Sequence, residues 1–233
     1  MGDAPVVGLD LAAFEHLAWS RRTNLQVDPD QPVPLELIEA LCEVARSAPN
    51  HKRTWPWRFA VFTGEGRAAL GHAFATALVA RDVEAARVAK SRVKYLRAPA
   101  VLVVGSSSPE PARELEDGYA VAAAVQNLLL AATAAGLASY WSSPPVADAP
   151  GVLALAGFPE GTHLVAVVYL GWAIRDMEAP ARPPLVLHHV TTGPVADGEV
   201  SPGPPGPAGV AGVAPPPGPT GVAGPTGLVP PPA

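Results

Sequence analysis

The segment "DGYAVAAAVQNLLLAATAAGLASYW" (Asp117–Trp141) constrains the fold more than any other stretch of this sequence. From Gly118 to Trp141 it carries no charged side chain. An apolar stretch of about 20 residues is long enough to cross a bilayer. This one, however, is rich in Ala, holds Gln126 and Asn127 at its centre and has no basic flank. It therefore predicts a buried central helix rather than a membrane span.

The segments on either side of this helix alternate between two periodicities. Helical spacing of apolar residues predicts helices over 9–19, 34–48, 65–96 (one bent helix or two) and 148–158. Runs rich in β-branched and aromatic residues predict strands over 57–64, 98–107 and 162–172, with a further short strand at Ser139–Trp141. Strands separated by helices indicate an α+β or α/β sheet covered by helices.

The composition narrows the classes of function. The chain has 233 residues, of which 48% are hydrophobic and 16% charged, so it can bury a sizeable core. Its net charge is −5 and it has no long basic stripe, so we expect no nucleic-acid partner.

The single cysteine, Cys42, lies on the apolar face of a predicted helix and is expected to be a core residue. The N-terminal residues do not resemble a secretory signal, which predicts a cytoplasmic protein.

Two motifs resemble known sites only superficially. Residues 64–69 match G-x-G-x-x-A after a strand, but the region that should form the second strand of a dinucleotide-binding unit is helical. We therefore expect a plain strand-to-helix turn there. His188 and His189 are adjacent and have no third ligand at metal spacing, so no metal site is predicted.

The C-terminal residues differ in composition from the rest. Pro and Gly dominate residues 193–233, and from Ser201 glycine recurs at every third position until Pro215 interrupts the repeat. This collagen-like pattern predicts a disordered, polyproline-like tail, with a trimerising stalk as the alternative. The expected organisation is a folded domain over 1–192 and a tail over 193–233.

Two polar stretches are candidates for binding. Arg21, Arg22 and Thr23 follow the first helix. The two arginines could be cations that favour a helix C-terminus, or they could grip a phosphate with the Thr23 hydroxyl as a further donor. The second stretch is "APNHKRTWPWRF" (Ala48–Phe59). Its Trp57 and Phe59 begin a strand and are expected in the core. His51 lies in a polar loop and is either a ligand contact or solvated.

These pieces, in this order and spacing, resemble the nitroreductase family of FMN-dependent oxidoreductases, and within it the small YdjA-like branch. The most specific matches are A-P-N-H-K…P-W-R-F and Q-N-L-L-L-A-A…G-L…W, and the likeness extends from Leu9 to Asp176. It implies a mixed sheet covered by helices, with the long central helix at the interface of a homodimer. Each of two FMN sites would be lined by both chains. NADH or NADPH would reduce the flavin, which would pass electrons to a nitroaromatic, a quinone or a similar small acceptor.

The resemblance also assigns cofactor contacts, and no catalytic side chain, because the flavin carries the chemistry. The phosphate-binding triplet falls on Arg21, Arg22 and Thr23. The flavin-contacting loop falls on Ser47, Asn50, His51 and Lys52. A second flavin wall falls on Trp141, Ser142 and Ser143, and Arg175 is a further candidate cation for the phosphate.

One departure from the family pattern bears on turnover. Leu25 stands where many members carry a basic residue near the flavin N1. The compensating cation would have to come from Lys52 or Arg53, or be absent. The alternative function is therefore a flavin-binding protein without efficient turnover. Trp55, which replaces a frequent Gln, could wall the substrate face or pack against the protein.

Overall fold

The structure, a computed structural model, describes residues 10–191. The described part of the compact unit that ends at Ala179 contains six α-helices and four strands, besides three short 3-10 helices. The helices are α1 (Leu11–Ser20), α2 (Leu35–Ala45), α3 (Gly66–Val79), α4 (Ala85–Val93), α5 (Glu114–Ala134) and α6 (Pro150–Ala156). The strands are β1 (Trp57–Thr63), β2 (Ala100–Ser106), β3 (Leu137–Ser142) and β4 (His163–Trp172). Every helix and strand predicted above is confirmed, including the short strand after the central helix.

Residues 180–191 belong to a separate unit and form neither helix nor strand. His188 and His189 are exposed there, and no group of side chains in the described residues could hold a metal ion. The predicted tail, 193–233, lies outside the described residues, and the domain boundary at 192 stays a prediction.

The four strands form one sheet in the order β1-β2-β4-β3, and each neighbouring pair is antiparallel. The α+β class is confirmed, but the expected mixed sheet is not what these strands form. Two helices connect β1 to β2, so the chain returns to the end of the sheet where β1 stops and pairs Thr63 with Ala100. Within residues 10–191, parallel pairing is limited to an isolated bridge between Thr23 and Ser139.

Helices cover both faces of the sheet. Successive residues of β2 point to opposite faces, so Val101 and Val103 pack with α3, α4 and α6, whereas Leu102 and Val104 pack with α2 and α5. Every residue of β2 is buried.

Helix α5 buries Val121, Ala124, Val125, Leu128, Leu129 and Ala132, as expected for a central helix. No described helix has the length and apolarity needed to cross a membrane. Trp57, predicted in the core, is buried against α2 and α5.

An extended segment, residues 23–28, runs along the end of the sheet. The backbone N–H of Asn24 donates to Ser139 O at 2.9 Å and that of Asp28 donates to Trp172 O at 3.1 Å. Gly171 permits this approach, because an added Cβ would lie 2.9 Å from Val27 Cβ. The segment thereby holds Thr23 beside Ser139 of β3.

The thiol of Cys42 is half-buried and packs against the α2–α5 side of the core. Burial, followed by the charges of Glu43 and Glu39, raises its pKa from 9.0 to about 11. Because the thiolate is the reactive form, we expect iodoacetamide to modify Cys42 about a hundredfold more slowly in the folded than in the urea-unfolded protein at pH 8. The folded rate should rise steadily as the pH approaches 11. Mass spectrometry of quenched samples measures both rates, and equal rates would contradict the prediction.

Candidate functional site

A cleft of about 350 Å³ opens at the end of β3. Its lining comes from three segments that are far apart in sequence: Arg21, Thr23, Gln126, Leu129, Trp141 and Ser143. Four of these six residues are among those that the sequence assigned to a flavin site. The cleft therefore joins the end of α1, the centre of α5 and the end of β3.

Backbone pairing and helix periodicity build this cleft. Thr23 reaches it because its segment pairs with Ser139, two residues before Trp141 on the same strand. Gln126 and Leu129 are three residues apart on α5 and so share one face of the helix. Sequence reasoning assigned Gln126 no contact, although Gln126 is the first residue of the motif Q-N-L-L-L-A-A and a polar side chain in an apolar helix.

The lining combines one charged side chain with polar and apolar ones. Arg21 is the charged residue among the six, and Thr23, Ser143 and Gln126 add hydroxyl and amide groups. Trp141 and Leu129 contribute apolar surface. Such a set can hold an anionic group with a guanidinium and a hydroxyl, and can flank a planar ring.

Two other predicted residues lie close to this cleft without lining it. Ser142 is the last residue of β3, and its hydroxyl donates to the backbone oxygen of Ser143 at 3.2 Å. The backbone oxygen of Arg175 accepts a hydrogen bond from Asn24 Nδ2 at 2.9 Å. Residue 175 therefore lies beside the segment that carries Thr23, and its side chain is exposed.

Arg22 does not line the cleft. Its Nη1 donates to the backbone oxygens of Trp19 and Arg21, at the C-terminal end of α1. This is the contact expected of a cation that caps a helix C-terminus. Its Nε is buried and has no hydrogen-bond partner within the described part of the chain. Of the two adjacent arginines, the structure brings only Arg21 into the cleft lining.

The second predicted group lies elsewhere along α5. The Asn50 loop (residues 50–55) packs against the first turn of α5, where Nδ1 of His51 is 2.8 Å from Oε1 of Glu116. Glu116 and Gln126 are ten positions apart, which is about 15 Å along a helix. Within one chain, His51 and Lys52 therefore do not meet Arg21. Ser47 lies nearer the cleft than the loop does, because Asn127, the residue after Gln126, donates from Nδ2 to its hydroxyl at 3.3 Å.

The backbone of the Asn50 loop is strained. Lys52, Arg53 and Trp55 have φ angles of 60°, 55° and 48°. Left-handed backbone costs about 1–2 kcal/mol for a residue with a side chain. The amide of Asn50 holds part of this shape, because its Oδ1 accepts from Trp55 N at 2.9 Å and its Nδ2 donates to Thr54 Oγ1 at 3.0 Å. The Asn50 side chain is thus engaged within its own loop, while His51 and Lys52 are exposed.

Asp117 anchors the same loop, and sequence reasoning did not single it out. Its side chain is buried at the start of α5. Oδ1 accepts from Thr54 Oγ1 at 2.6 Å and Oδ2 accepts from Ser108 Oγ at 2.6 Å. The sequence offered one hint of this role, since Asp117 is the acidic residue directly before the uncharged stretch 118–141.

Two departures from the family pattern can now be placed. Leu25 is half-buried and packs against the core on the α3 side of the sheet. Trp55 is 54% exposed, and its ring meets that of Trp57 edge-on at a centroid distance of 5.7 Å. Trp55 therefore offers most of its surface to solvent or to a binding partner.

Known proteins resemble this chain over most of the described unit. A family model described as the nitroreductase family matches residues 18–172. YdjA of Escherichia coli (strain K12), provisionally named an NAD(P)H nitroreductase, is 28% identical over 144 residues, which cover 60% of this chain and 79% of YdjA.

Solved structures share the fold. A nitroreductase-like family protein from Bacillus cereus is 28% identical with a TM-score of 0.64, covering 78% of this chain and 95% of its own. The FMN-dependent nitroreductase NfnB from Mycobacterium smegmatis, solved with NADPH, is 26% identical with a TM-score of 0.55, covering 71% of this chain and 90% of its own.

Proposed function

Because the chain belongs to the nitroreductase family, we propose that it is an FMN-dependent oxidoreductase that uses NADH or NADPH to reduce a small acceptor such as a nitroaromatic or a quinone. The observation that carries this proposal is the cleft in which Arg21, Thr23, Trp141 and Ser143 converge. These residues come from separate segments, and the family resemblance assigns each of them to FMN binding.

The donors in the cleft suit the chemistry of FMN. The phosphate requires a cation and a hydroxyl, which Arg21 and Thr23 provide. The flavin ring requires apolar contact and hydrogen bonds at its polar edge, which Trp141, Leu129, Gln126 and Ser143 provide. Bound FMN would supply the chemistry of hydride uptake from a reduced nicotinamide and electron transfer to the acceptor. The protein's own part is to bind and orient the cofactor and to leave one face of the ring open.

A second copy of the chain would complete the site. The Asn50 loop and the cleft lie about 15 Å apart along α5, so one chain cannot place both on the same ring edge. A homodimer would bring the loop and the cleft to the same flavin if the loop of one chain reaches the cleft of the other. Helix α1 supports such an interface, since it has no buried residue and exposes Leu11, Phe14 and Trp19. Exposed apolar surface of this kind is typical of contact sites between proteins.

A purified sample tests the cofactor directly. We expect a yellow protein with flavin absorbance, about one FMN per 23.9 kDa chain and the mass of a dimer by light scattering. Under anaerobic conditions NADH or NADPH should bleach the flavin, and a quinone should restore its colour. A colourless protein that takes up no added FMN would refute the proposal.

The second candidate function is flavin binding without efficient turnover. Two observations favour it. Leu25, which stands where many family members carry a cation, packs against the core. Arg21, the charged residue among the six that line the cleft, is assigned to the phosphate, so neither residue offers a cation to the flavin ring. A reduced flavin carries negative charge on its ring, which a nearby cation would stabilise. A flavin that binds stoichiometrically but is bleached by neither nicotinamide would identify this second function.

A further inference from the structure

Asp117 joins two loops to the first turn of α5. It is 1% exposed, and its carboxylate accepts hydrogen bonds from Thr54, Ser108 and Asn50. Both oxygens are used: Oδ1 by Thr54 at 2.6 Å and Asn50 at 3.3 Å, and Oδ2 by Ser108 at 2.6 Å. A buried carboxylate is expensive unless it is hydrogen-bonded, so this arrangement strongly favours one conformation of the surrounding loops.

The conformation that Asp117 favours is the strained one. Thr54 and Asn50, its two partners in the Asn50 loop, flank Lys52 and Arg53 in the sequence, and both of these residues have positive φ. Backbone in this region persists only where the surroundings over-determine it. The hydrogen bonds to Asp117 supply that restraint from outside the loop, because the carboxylate belongs to α5.

The loop held in this way carries the exposed His51, Lys52 and Arg53. His51 is tied separately to Glu116, the residue before Asp117. Adjacent positions of α5 therefore determine the shape of the loop and the direction of its imidazole.

We propose that Asp117 is a positioning residue for cofactor binding: it holds the Asn50 loop in the shape that presents His51 and Lys52 to FMN bound in the cleft of a second copy. This inference rests on the proposed function. Asp117 itself does not line the cleft and acts through Thr54 and Asn50.

The test uses the full-length protein and makes two measurements. The first is tryptic cleavage after Lys52 and Arg53 in the flavin-free protein, mapped by mass spectrometry. Asp117→Ala should make this cleavage about tenfold faster, because the loop loses its restraint. The second is the dissociation constant for added FMN, which should rise about tenfold, as for the loss of a hydrogen bond to a charged group.

Matched variants separate positioning from general destabilisation. Val121→Ala removes buried surface one turn further along α5, in the α2–α5 core and not in the hydrogen bonds to Asp117, so it should lower stability with little change in cleavage at 52–53. Thr54→Val should reproduce the Asp117→Ala effect and serves as the second variant if Asp117→Ala does not fold. Thr54→Ser, which keeps the hydroxyl, should restore the unsubstituted behaviour. The double variant Asp117→Ala/Thr54→Val should be no worse than Asp117→Ala.

The outcomes distinguish this inference from the proposed function. Unchanged cleavage in Asp117→Ala and Thr54→Val overturns the inference. Faster cleavage with unchanged FMN affinity also overturns it, because the loop would then not contact the cofactor. If the unsubstituted protein binds no FMN, the proposed function fails and the cofactor role of Asp117 fails with it, whereas the cleavage rates still report whether Asp117 restrains the loop.

Discussion

Replacing Arg21 with Ala should weaken FMN binding about ten- to hundredfold. Arg21 is the charged side chain in the lining of the cleft, and the loss of a hydrogen bond to a charged group costs about 1.5–3 kcal/mol. Each 1.4 kcal/mol corresponds to about a tenfold change in the dissociation constant. Quenching of flavin fluorescence during a titration of the flavin-free protein measures this constant.

Arg81→Ala is a control with the same change in charge. Arg81 pairs with Asp148 and does not line the cleft, so this variant should bind FMN as the unsubstituted protein does. Higher salt should weaken binding to the unsubstituted protein and narrow its difference from Arg21→Ala, because screening reduces the attraction between the guanidinium and the phosphate. If Arg21→Ala and Arg81→Ala bind FMN equally well, Arg21 does not hold the phosphate.

Gly71→Ala should have the largest effect on stability. Gly71 lies where α3 crosses the end of α4, and an added Cβ would come within 2.3 Å of the backbone oxygen of Arg92 and 3.2 Å of that of Ser91. The obstacle is backbone, so relief requires the two helices to separate. Overpacking of this kind costs about 1–3 kcal/mol and occasionally more, which outweighs the gain of about 1 kcal/mol from placing Ala rather than Gly in a helix. Urea unfolding followed by circular dichroism measures the difference.

Gly66→Ala, in the same helix, is the matched control. A Cβ there would meet Phe62 Cδ1 at 3.7 Å, an ordinary contact. We therefore expect unchanged or slightly increased stability. Equal unfolding midpoints for Gly71→Ala and Gly66→Ala would show that α3 and α4 do not approach as closely as the structure has them.

The sequence predicted the site residues unevenly. Arg21, Thr23, Trp141 and Ser143 were assigned through family motifs, and the structure brings them together in one cleft. Arg22 had the same motif support, yet it turns back onto carbonyls at the end of α1. Two adjacent residues on an extended chain point in different directions, and only the packing around them decides which one faces the cleft.

Other residues gained a role only from the structure. Gln126 belongs to the motif Q-N-L-L-L-A-A but was assigned no contact, and Asp117 was visible only as the acid before the long uncharged stretch. Their roles depend on distant segments coming together: Gln126 lines the same cleft as Arg21, and Asp117 accepts from Thr54 and Ser108. Periodicity along the chain carries no information about such pairings.

The sequence by itself determined the helices, the strands and the buried central helix, because apolar periodicity and turn residues act over a few neighbouring positions. It did not determine that neighbouring strands are antiparallel, since strand neighbours depend on how the helices return the chain. Nor did it show that Arg21 and His51 lie at different levels of α5. That separation arises because the end of β3 and the Asn50 loop pack against different turns of one helix, and only the tertiary structure sets it.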